Sequence, residues 1–158
     1  MRTKPCVMRR SVRKSIPSFR LKAEAVQAQH PNAVCIGSDT MVTIDGLRLG
    51  KPKDADEAAS MLRRLRGRTH EVLTGLAVLT PDGGAHTLHT CTRVTFRDFA
   101  EDELAAYLAT GEPLDKAGAY GIQGHGALLI KGIEGDYYSV MGLPVAPLYT
   151  ILRDIHAV

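Results

Sequence analysis

The segment THEVLTGLAVLT (69–80), PDGG (81–84) and AHTLHTCTRVTF (85–96) contains two β-rich runs joined by turn residues. Proline, aspartate and glycine between two such runs predict a β-hairpin. The alternation of apolar and polar residues in both runs predicts strands with one buried and one solvent-exposed face. Antiparallel strands are therefore expected within the sheet.

Helical patterns lie on both sides of this hairpin. The sequence DADEAASMLRRLRG (54–67) predicts a helix capped by Asp54 and closed by Gly67, and AEDELAAYLATGEP (100–113) predicts a second helix that ends at Gly111. Shorter patterns predict a helix stopped by Pro31, strands over 33–37 and 127–133, and a closing helix over about 143–155. The stretch 41–50 predicts β structure with Asp45 and Gly46 as a hairpin turn. Helices and strands alternate without a linker, which indicates one α/β domain with a mixed sheet.

The composition fits a single globular domain. The chain has 158 residues, of which 44% are hydrophobic and 23% charged. Cys6, Cys35 and Cys91 are widely spaced, which argues against a disulfide framework or a structural zinc and favours the reducing cytosol. No apolar run approaches the roughly 20 residues that cross a bilayer. A cytoplasmic protein without a membrane partner is expected.

The first twenty residues differ from the rest in charge. Eight basic residues precede the first acid, Glu24, although the whole chain has a net charge of only +3. We interpret residues 1–20 as a disordered basic arm. Four explanations of this arm stay open: a solvated tail, a targeting peptide, a tail that touches nucleic acid, and a start that is not the natural one. Such an arm provides unspecific attraction but no base readout, so no specific nucleic-acid partner is expected.

Polar residues beside glycines and prolines predict a phosphate-binding site. The segment DKAGAYGIQGHGA (115–127) is rich in glycines, which allow close approach of the backbone to a ligand, and its Lys116 provides a charge suited to phosphate. Lys51 lies in GKP, a rigid turn. Asp39 follows the apolar run 33–37, and carboxylates at strand ends of α/β folds face the ligand crevice, where Asp39 could bind a divalent cation, deprotonate a water, or both. Taken alone, each lysine is more typical of a surface residue, and it is their joint placement beside glycine-rich or proline-fixed backbone that favours a phosphate site.

Several long motifs, in order, carry a resemblance: GSDTMV (37–42), LGKPKDADEAASMLRRLRGRTHEVLTGLAV (49–78), TRVTF (92–96) and YLATGEPLDKAGAYGIQGHGALLIKGIEGDYYSVMGLP (107–144). Over about residues 21–156 the chain resembles the Maf family of septum-formation-inhibitor-like nucleotide pyrophosphatases. The resemblance implies an elongated mixed sheet flanked by helices, related to house-cleaning inosine-triphosphate pyrophosphatases. It also implies hydrolysis of a nucleoside triphosphate to the monophosphate and pyrophosphate with a divalent metal, Mg or Mn.

The resemblance also implies roles for individual residues. Asp39 matches the acid taken as proton acceptor, and Thr40 together with Gln123 resembles the subgroup that prefers dTTP and UTP. The three lysines that match family motifs, Lys22, Lys51 and Lys116, are expected at the phosphates. Family members are often dimers, so a homodimer is expected as well.

The chain departs from the family pattern before Lys22. Family members carry an SxSPRR-like turn there, and Arg9 and Arg10 lie too close to Lys22 to take that role. We interpret residues 21–158 as one Maf-like domain with a truncated or misassigned start. Two hypotheses follow: an active pyrophosphatase with a house-cleaning or division-linked role, or a non-catalytic nucleotide-binding or interaction protein that keeps the fold.

Overall fold

A computed structural model describes residues 17–158 as an α/β fold built on a five-stranded sheet of order β2-β1-β3-β4-β5. Every strand pair in these residues is antiparallel. The strands are β1 (Cys35–Ile44), β2 (Leu47–Leu49), β3 (Thr69–Leu79), β4 (Ala85–Phe96) and β5 (Ile130–Glu134). The predicted α/β class with helices flanking a sheet is confirmed, although parallel pairs do not occur in this part of the chain.

Five α-helices and three short 3-10 segments complete the described part of the chain. The helices are α1 (Pro17–Gln27), α2 (Ala55–Leu65), α3 (Glu101–Ala109), α4 (Tyr137–Met141) and α5 (Val145–Asp154). The 3-10 segments are Glu112–Asp115, Ala117–Ala119 and Gly124–Leu129. As predicted, Asp54 caps α2 by accepting from the Glu57 N–H, and Gly67 with φ 68° follows its end.

The predicted hairpin forms the centre of the sheet, with β3 and β4 in register from Thr69↔Thr95 to Leu79↔Ala85. The expectation of one wet face is wrong for β3, which is buried on both faces from Val72 to Leu79. Because β3 lies between β1 and β4 and helices cover both faces of the sheet, neither side of this strand reaches solvent.

Strand β1 is longer than predicted. The polar residues Ser38, Asp39 and Thr40 do not end the strand but pair with Leu76, Gly75 and Thr74 of β3. The interpretation of Asp39 as a strand-end carboxylate is therefore wrong, because the antiparallel ladder with β3 continues through it.

Helix α1 packs directly on the backbone of the sheet. A Cβ atom at Gly37 would lie 2.1 Å from the Phe19 carbonyl oxygen, and one at Gly75 would lie 2.2 Å from the Phe19 ring. The two glycines thus provide the space in which α1 sits, with Phe19 and Ala23 buried against Ala77 and Leu79. The four residues from 17 to 20, assigned to the basic arm, belong to this helix; residues 1–16 lie outside the described part.

The larger core lies on the opposite face of the sheet. It combines β-strand residues with α2, α3 and the 3-10 segments, and it includes Leu62, Leu65, Val72, Phe96, Leu104 and Tyr120. Cys91 of β4 is disulfide-bonded, contrary to the expectation that the widely spaced cysteines form no disulfide, whereas Cys35 is buried and free. Within residues 17–158, no helix has both the length and the apolar character needed to cross a membrane.

Candidate functional site

A cavity of about 480 Å³ lies on the face of the sheet opposite α1. Four of the predicted site residues line it: Thr40, Lys51, Lys116 and Gln123. Its volume is within the range of small-molecule sites. The structure thus brings together residues that are up to 83 positions apart in the sequence, as Thr40 and Gln123 are.

Backbone contacts hold the two cavity lysines near each other. The Gly118 N–H donates to the Gly50 carbonyl at 3.0 Å, which ties the Lys51 turn to the Lys116 turn. Gly118 has φ +73°, and a Cβ there would lie 2.9 Å from Val42, so glycine is required for this approach. The hydrogen bond from Lys116 Nζ to Asp115 (2.8 Å) and, more weakly, the charge of Lys51 lower the pKa of Asp115. The cavity is thus lined by two lysines on turns that are joined to each other, and their ammonium groups suit a phosphate chain.

The loop that carries Gln123 is held by Glu112. The carboxylate of Glu112 accepts from the backbone N–H groups of His125 (3.0 Å) and Gly126 (3.1 Å) and from the Tyr107 hydroxyl (3.0 Å). The Tyr107 oxygen in turn accepts from the Gly121 N–H at 3.2 Å. Hydrogen bonds therefore fix the loop on both sides of Gln123.

The same contacts set the charge of Glu112. Partial burial alone would raise the pKa of this carboxyl, but the hydrogen bonds from Gly126, Tyr107 and His125 outweigh it and lower the pKa below its usual range. Glu112 is therefore ionised at neutral pH, and as an acceptor-only group it is matched to the donors around it.

Asp39 and Lys22 lie together on the α1 face of the sheet. Lys22 Nζ donates to Asp39 Oδ1 at 2.6 Å, and the Ser18 hydroxyl donates to Asp39 Oδ2. Partial burial raises the pKa of Asp39, but these hydrogen bonds and the charges of Lys22 and Arg48 outweigh it, so the pKa is lowered. Asp39 is ionised at neutral pH and lies beside Lys22, whose side chain is more than half exposed.

The predicted site residues therefore fall into two groups on opposite faces of β1. Asp39 pairs with Gly75 and faces α1, whereas Thr40 pairs with Thr74 and faces the cavity. Successive side chains of a strand point to opposite faces, so two neighbouring motif residues cannot line the same wall. In residues 17–158, β2 pairs with β1 only over Val42–Ile44, and no strand lies outside Ser38–Thr40.

The acidic side chains of the described residues do not by themselves form a metal-binding cluster. Among residues 17–158 there is no group of three or more His, Cys, Asp or Glu side chains that could hold one. Mg²⁺ commonly uses one or two carboxylates together with water and substrate phosphates, so an all-protein cage is not required. Of the predicted site residues, Asp39 is the carboxylate that fits this role.

Sequence reasoning missed Glu112, Tyr107 and Tyr120. Glu112 directly follows the predicted helix end at Gly111. The signal that points to it is the glycine-rich stretch 121–126, whose backbone N–H groups need an acceptor once the loop is packed. Tyr120 lines the cavity and contacts the buried His70, whose Nε2 lies 2.7 Å from the Tyr120 hydroxyl. Burial lowers the pKa of His70 to about 4, so this residue is neutral and belongs to the core.

Comparison with known proteins gives consistent matches. The family model described as Maf-like protein matches residues 17–155. A protein of Nitratidesulfovibrio vulgaris (strain Hildenborough) named dTTP/UTP pyrophosphatase is 56% identical over 83% of this chain and 62% of its own length. A protein of the same name from Bacillus velezensis is 56% identical over 85% of this chain and 71% of its own length. Another from Moorella thermoacetica is 54% identical over 83% of this chain and 68% of its own length. The chain thus spans about two thirds of the length of these relatives.

Proposed function

This chain belongs to the Maf family, and we propose that it is a nucleoside triphosphate pyrophosphatase that hydrolyses dTTP and UTP to the monophosphate and pyrophosphate. The observation that carries the proposal is the cavity in which Lys51, Lys116, Thr40 and Gln123 converge. The relatives that share about half of its residues are named for the same reaction.

The cavity residues divide the work of binding. Lys51 and Lys116 bind the phosphate chain, since ammonium groups are point charges suited to phosphate oxygens. Gln123 presents an amide that both donates and accepts, and this suits the edge of a pyrimidine ring. The exposed position of Gln123 on a loop fixed by Glu112 leaves its side chain available to the base.

Asp39 and Lys22 act on the reacting phosphate. No described strand covers β1 at Ser38–Thr40, so a nucleotide whose outer phosphates contact Lys51 and Lys116 can place its α-phosphate at this open edge, next to Asp39. Asp39 orients the water that attacks the α-phosphorus and takes its proton, while the neighbouring Lys22 stabilises the negative charge that develops on the phosphate. The bond from the α-phosphorus to its bridging oxygen then breaks, and pyrophosphate leaves.

A divalent cation, Mg or Mn, would be held by Asp39 and by the phosphates of the substrate. When bound, it neutralises charge on the phosphate chain. The lowered pKa of Asp39 keeps the carboxylate ionised and thus able to act as a ligand.

The test is pyrophosphate release from dTTP and UTP, with dCTP and GTP for comparison, in the presence of Mg²⁺ or Mn²⁺. Replacing Asp39 by Asn keeps the shape but removes the charge, and we expect kcat to fall by about 10²- to 10⁴-fold. Asp82→Asn in the exposed β3–β4 turn is the control and should leave kcat unchanged. Equal turnover by the wild-type protein and Asp39→Asn would contradict the proposal.

A second candidate function is nucleotide binding without catalysis. It is favoured by the position of Asp39, which lies on the face opposite the cavity and is already hydrogen-bonded to Lys22 and Ser18. This alternative predicts dTTP binding without pyrophosphate release, and binding that is unchanged in Asp39→Asn.

Three further expectations stay predictions. Size-exclusion chromatography with light scattering would test the homodimer, cell fractionation would test the cytoplasmic location, and DNA-binding measurements would test the lack of a specific nucleic-acid partner.

A further inference from the structure

Strand β1 has one open edge. Strand β2 pairs with it only over Val42–Ile44, and in the described part of the chain no other strand lies on that side. Ile44 and Leu47 flank a two-residue turn and form a hydrogen-bonded pair, and every second residue of β1 directs its N–H and C=O groups to the same side. Thr40 is four residues before Ile44. Its N–H therefore points out of the open edge and has no strand partner within residues 17–158.

The contacts of Lys22 support this direction. Lys22 Nζ donates to the Ser38 carbonyl oxygen at 3.4 Å and to Asp39 Oδ1 at 2.6 Å. Ser38 lies two residues before Thr40, so its carbonyl points out of the same edge. One ammonium group thus reaches both the edge and the carboxylate on the α1 face. A phosphate at this edge meets an ammonium group and a backbone N–H, and N–H groups at a sheet edge bind anions.

The turn that carries Lys51 adjoins the open edge where β2 ends. Leu49 is the last residue of β2 and pairs with Val42. Gly50 then leaves the sheet, and its carbonyl accepts from the Gly118 N–H at 3.0 Å. Lys51 follows directly and lines the cavity. Its ammonium group is therefore available to a ligand on the open edge from the cavity face.

Arg48 lies at the same end of the edge, on the opposite face of the sheet. It pairs with Thr43, and Thr43 is four residues from Asp39, so the side chains of Arg48 and Asp39 are both on the α1 face. Partial burial raises the pKa of Asp39, and the charge of Arg48 is among the interactions that lower it. The guanidinium group therefore acts on the carboxylate at the open edge.

The guanidinium group of Arg48 is available to a ligand. Arg48 is exposed and has no hydrogen-bond or ion-pair partner among residues 17–158. Most other arginines of this part of the chain are paired with a carboxylate. The paired ones are Arg20, Arg63, Arg66, Arg68, Arg93 and Arg97. Arg48 can bind an anion without giving up an existing contact.

From this arrangement we propose that Arg48 binds the pyrophosphate part of a nucleoside triphosphate from the α1 face of the open edge, opposite Lys51 on the cavity face. When the α-phosphate lies beside Asp39, the next phosphate along the edge lies where β2 ends, between these two side chains. A guanidinium group donates two parallel hydrogen bonds to phosphate oxygens. Arg48 therefore holds the leaving pyrophosphate and does not contact the nucleoside monophosphate.

The proposal rests on the proposed function only for the identity of the ligand, so it is tested by binding rather than by turnover. The dissociation constants of inorganic pyrophosphate and of dTMP are measured by calorimetry. Pyrophosphate is the group that Arg48 binds, whereas dTMP carries only the α-phosphate. In Arg48→Met the charge is removed, and we expect pyrophosphate binding to weaken about 10-fold while dTMP binding changes by less than about 2-fold.

Two further variants act as controls. Arg48→Lys keeps a charge, so it should weaken pyrophosphate binding by less than Arg48→Met does. Arg64→Met removes another exposed arginine, on α2, and should bind pyrophosphate like the wild-type protein. Unchanged pyrophosphate affinity of Arg48→Met would overturn the proposal, and so would equal losses for pyrophosphate and dTMP, an equal loss in Arg64→Met, or no binding of pyrophosphate by the wild-type protein.

The inference and the proposed function fail in different ways. Selective loss of pyrophosphate binding in Arg48→Met, without pyrophosphate release from dTTP or UTP by the wild-type protein, would refute the proposed activity and leave this inference intact. Release of pyrophosphate by the wild-type protein, together with unchanged pyrophosphate binding in Arg48→Met, would refute the inference alone.

Discussion

The two faces of the sheet at Asp39 and Thr40 are built by different means. On the α1 face, the helix contacts the strand backbone directly because Gly37 and Gly75 have no side chains. On the cavity face, hydrogen bonds to Glu112 hold the loop that carries Gln123, and a hydrogen bond from Thr74 holds α4 on the sheet. Close packing of α1 on the strands brings Lys22 within 2.6 Å of Asp39, whereas the cavity face leaves a space of about 480 Å³ for a ligand.

The largest expected effect comes from filling the α1 face. Gly75→Val places a branched side chain where the Phe19 ring lies, so α1 must move, and we expect a loss of about 3 kcal/mol in the free energy of unfolding. Gly132→Val is the matched control, because a Cβ at this strand glycine meets nothing within 4 Å. Urea unfolding measures both variants. Equal stability of the two would show that α1 does not depend on the glycine contact.

A smaller effect is expected from breaking the polar network of the cavity face. Glu112→Ala leaves the N–H groups of His125 and Gly126 without their acceptor, which costs about 2 kcal/mol after partial compensation by water. The KM for dTTP should also rise in this variant, because the loop that carries Gln123 loses the hydrogen bonds to Glu112 that hold it. Glu134→Ala, which removes an exposed carboxylate paired with Arg93, should change stability by less than about 0.5 kcal/mol. Unfolding curves and steady-state kinetics of both variants show whether the loss of stability and the rise in KM come from the loop held by Glu112 or from the removal of any carboxylate.

The smallest effect concerns a single charge in the cavity. Lys51→Met should raise the KM for dTTP about 10-fold, or about 1.4 kcal/mol, by removing one phosphate contact while leaving the fold intact. Lys53→Met changes an exposed lysine two residues away that does not line the cavity, and its KM should match that of the wild-type protein. If both variants raise KM equally, the cause is long-range electrostatic attraction of the substrate. The increase in KM over the wild-type protein should then disappear at high salt.

Local patterns predicted much of the fold. Asp54 and Gly67 marked the limits of α2, and the turn residues at 81–84 marked the hairpin, because capping and turn formation depend on neighbouring residues. The limits of β1 were missed, since Ser38, Asp39 and Thr40 look like the end of a strand until β3 is known to pair with them. Tertiary pairing overrides local polarity at such positions.

In the candidate site, too, local patterns predicted some residues and missed those that depend on tertiary contacts. Gly-rich backbone beside Lys116 and the turn around Lys51 indicated phosphate binding, and both lysines line the cavity. Glu112 was missed because its partners are backbone N–H groups thirteen and fourteen residues away, which no side-chain motif displays. The roles assigned to Asp39, Thr40 and Gln123 remain predictions.

The amino-acid sequence by itself determined the family, the hairpin, the helix limits and the residue types that suit a phosphorylated ligand. Only the tertiary structure decided that Asp39 and Thr40, adjacent in the chain, face different sides of the sheet, and that the Thr40 hydroxyl lies within hydrogen-bond distance of Thr74. Alternation along a strand is a local property, but what covers each face depends on α1 and α4, which are distant in sequence. The chemistry available at a residue therefore depends on partners that a sequence motif does not contain.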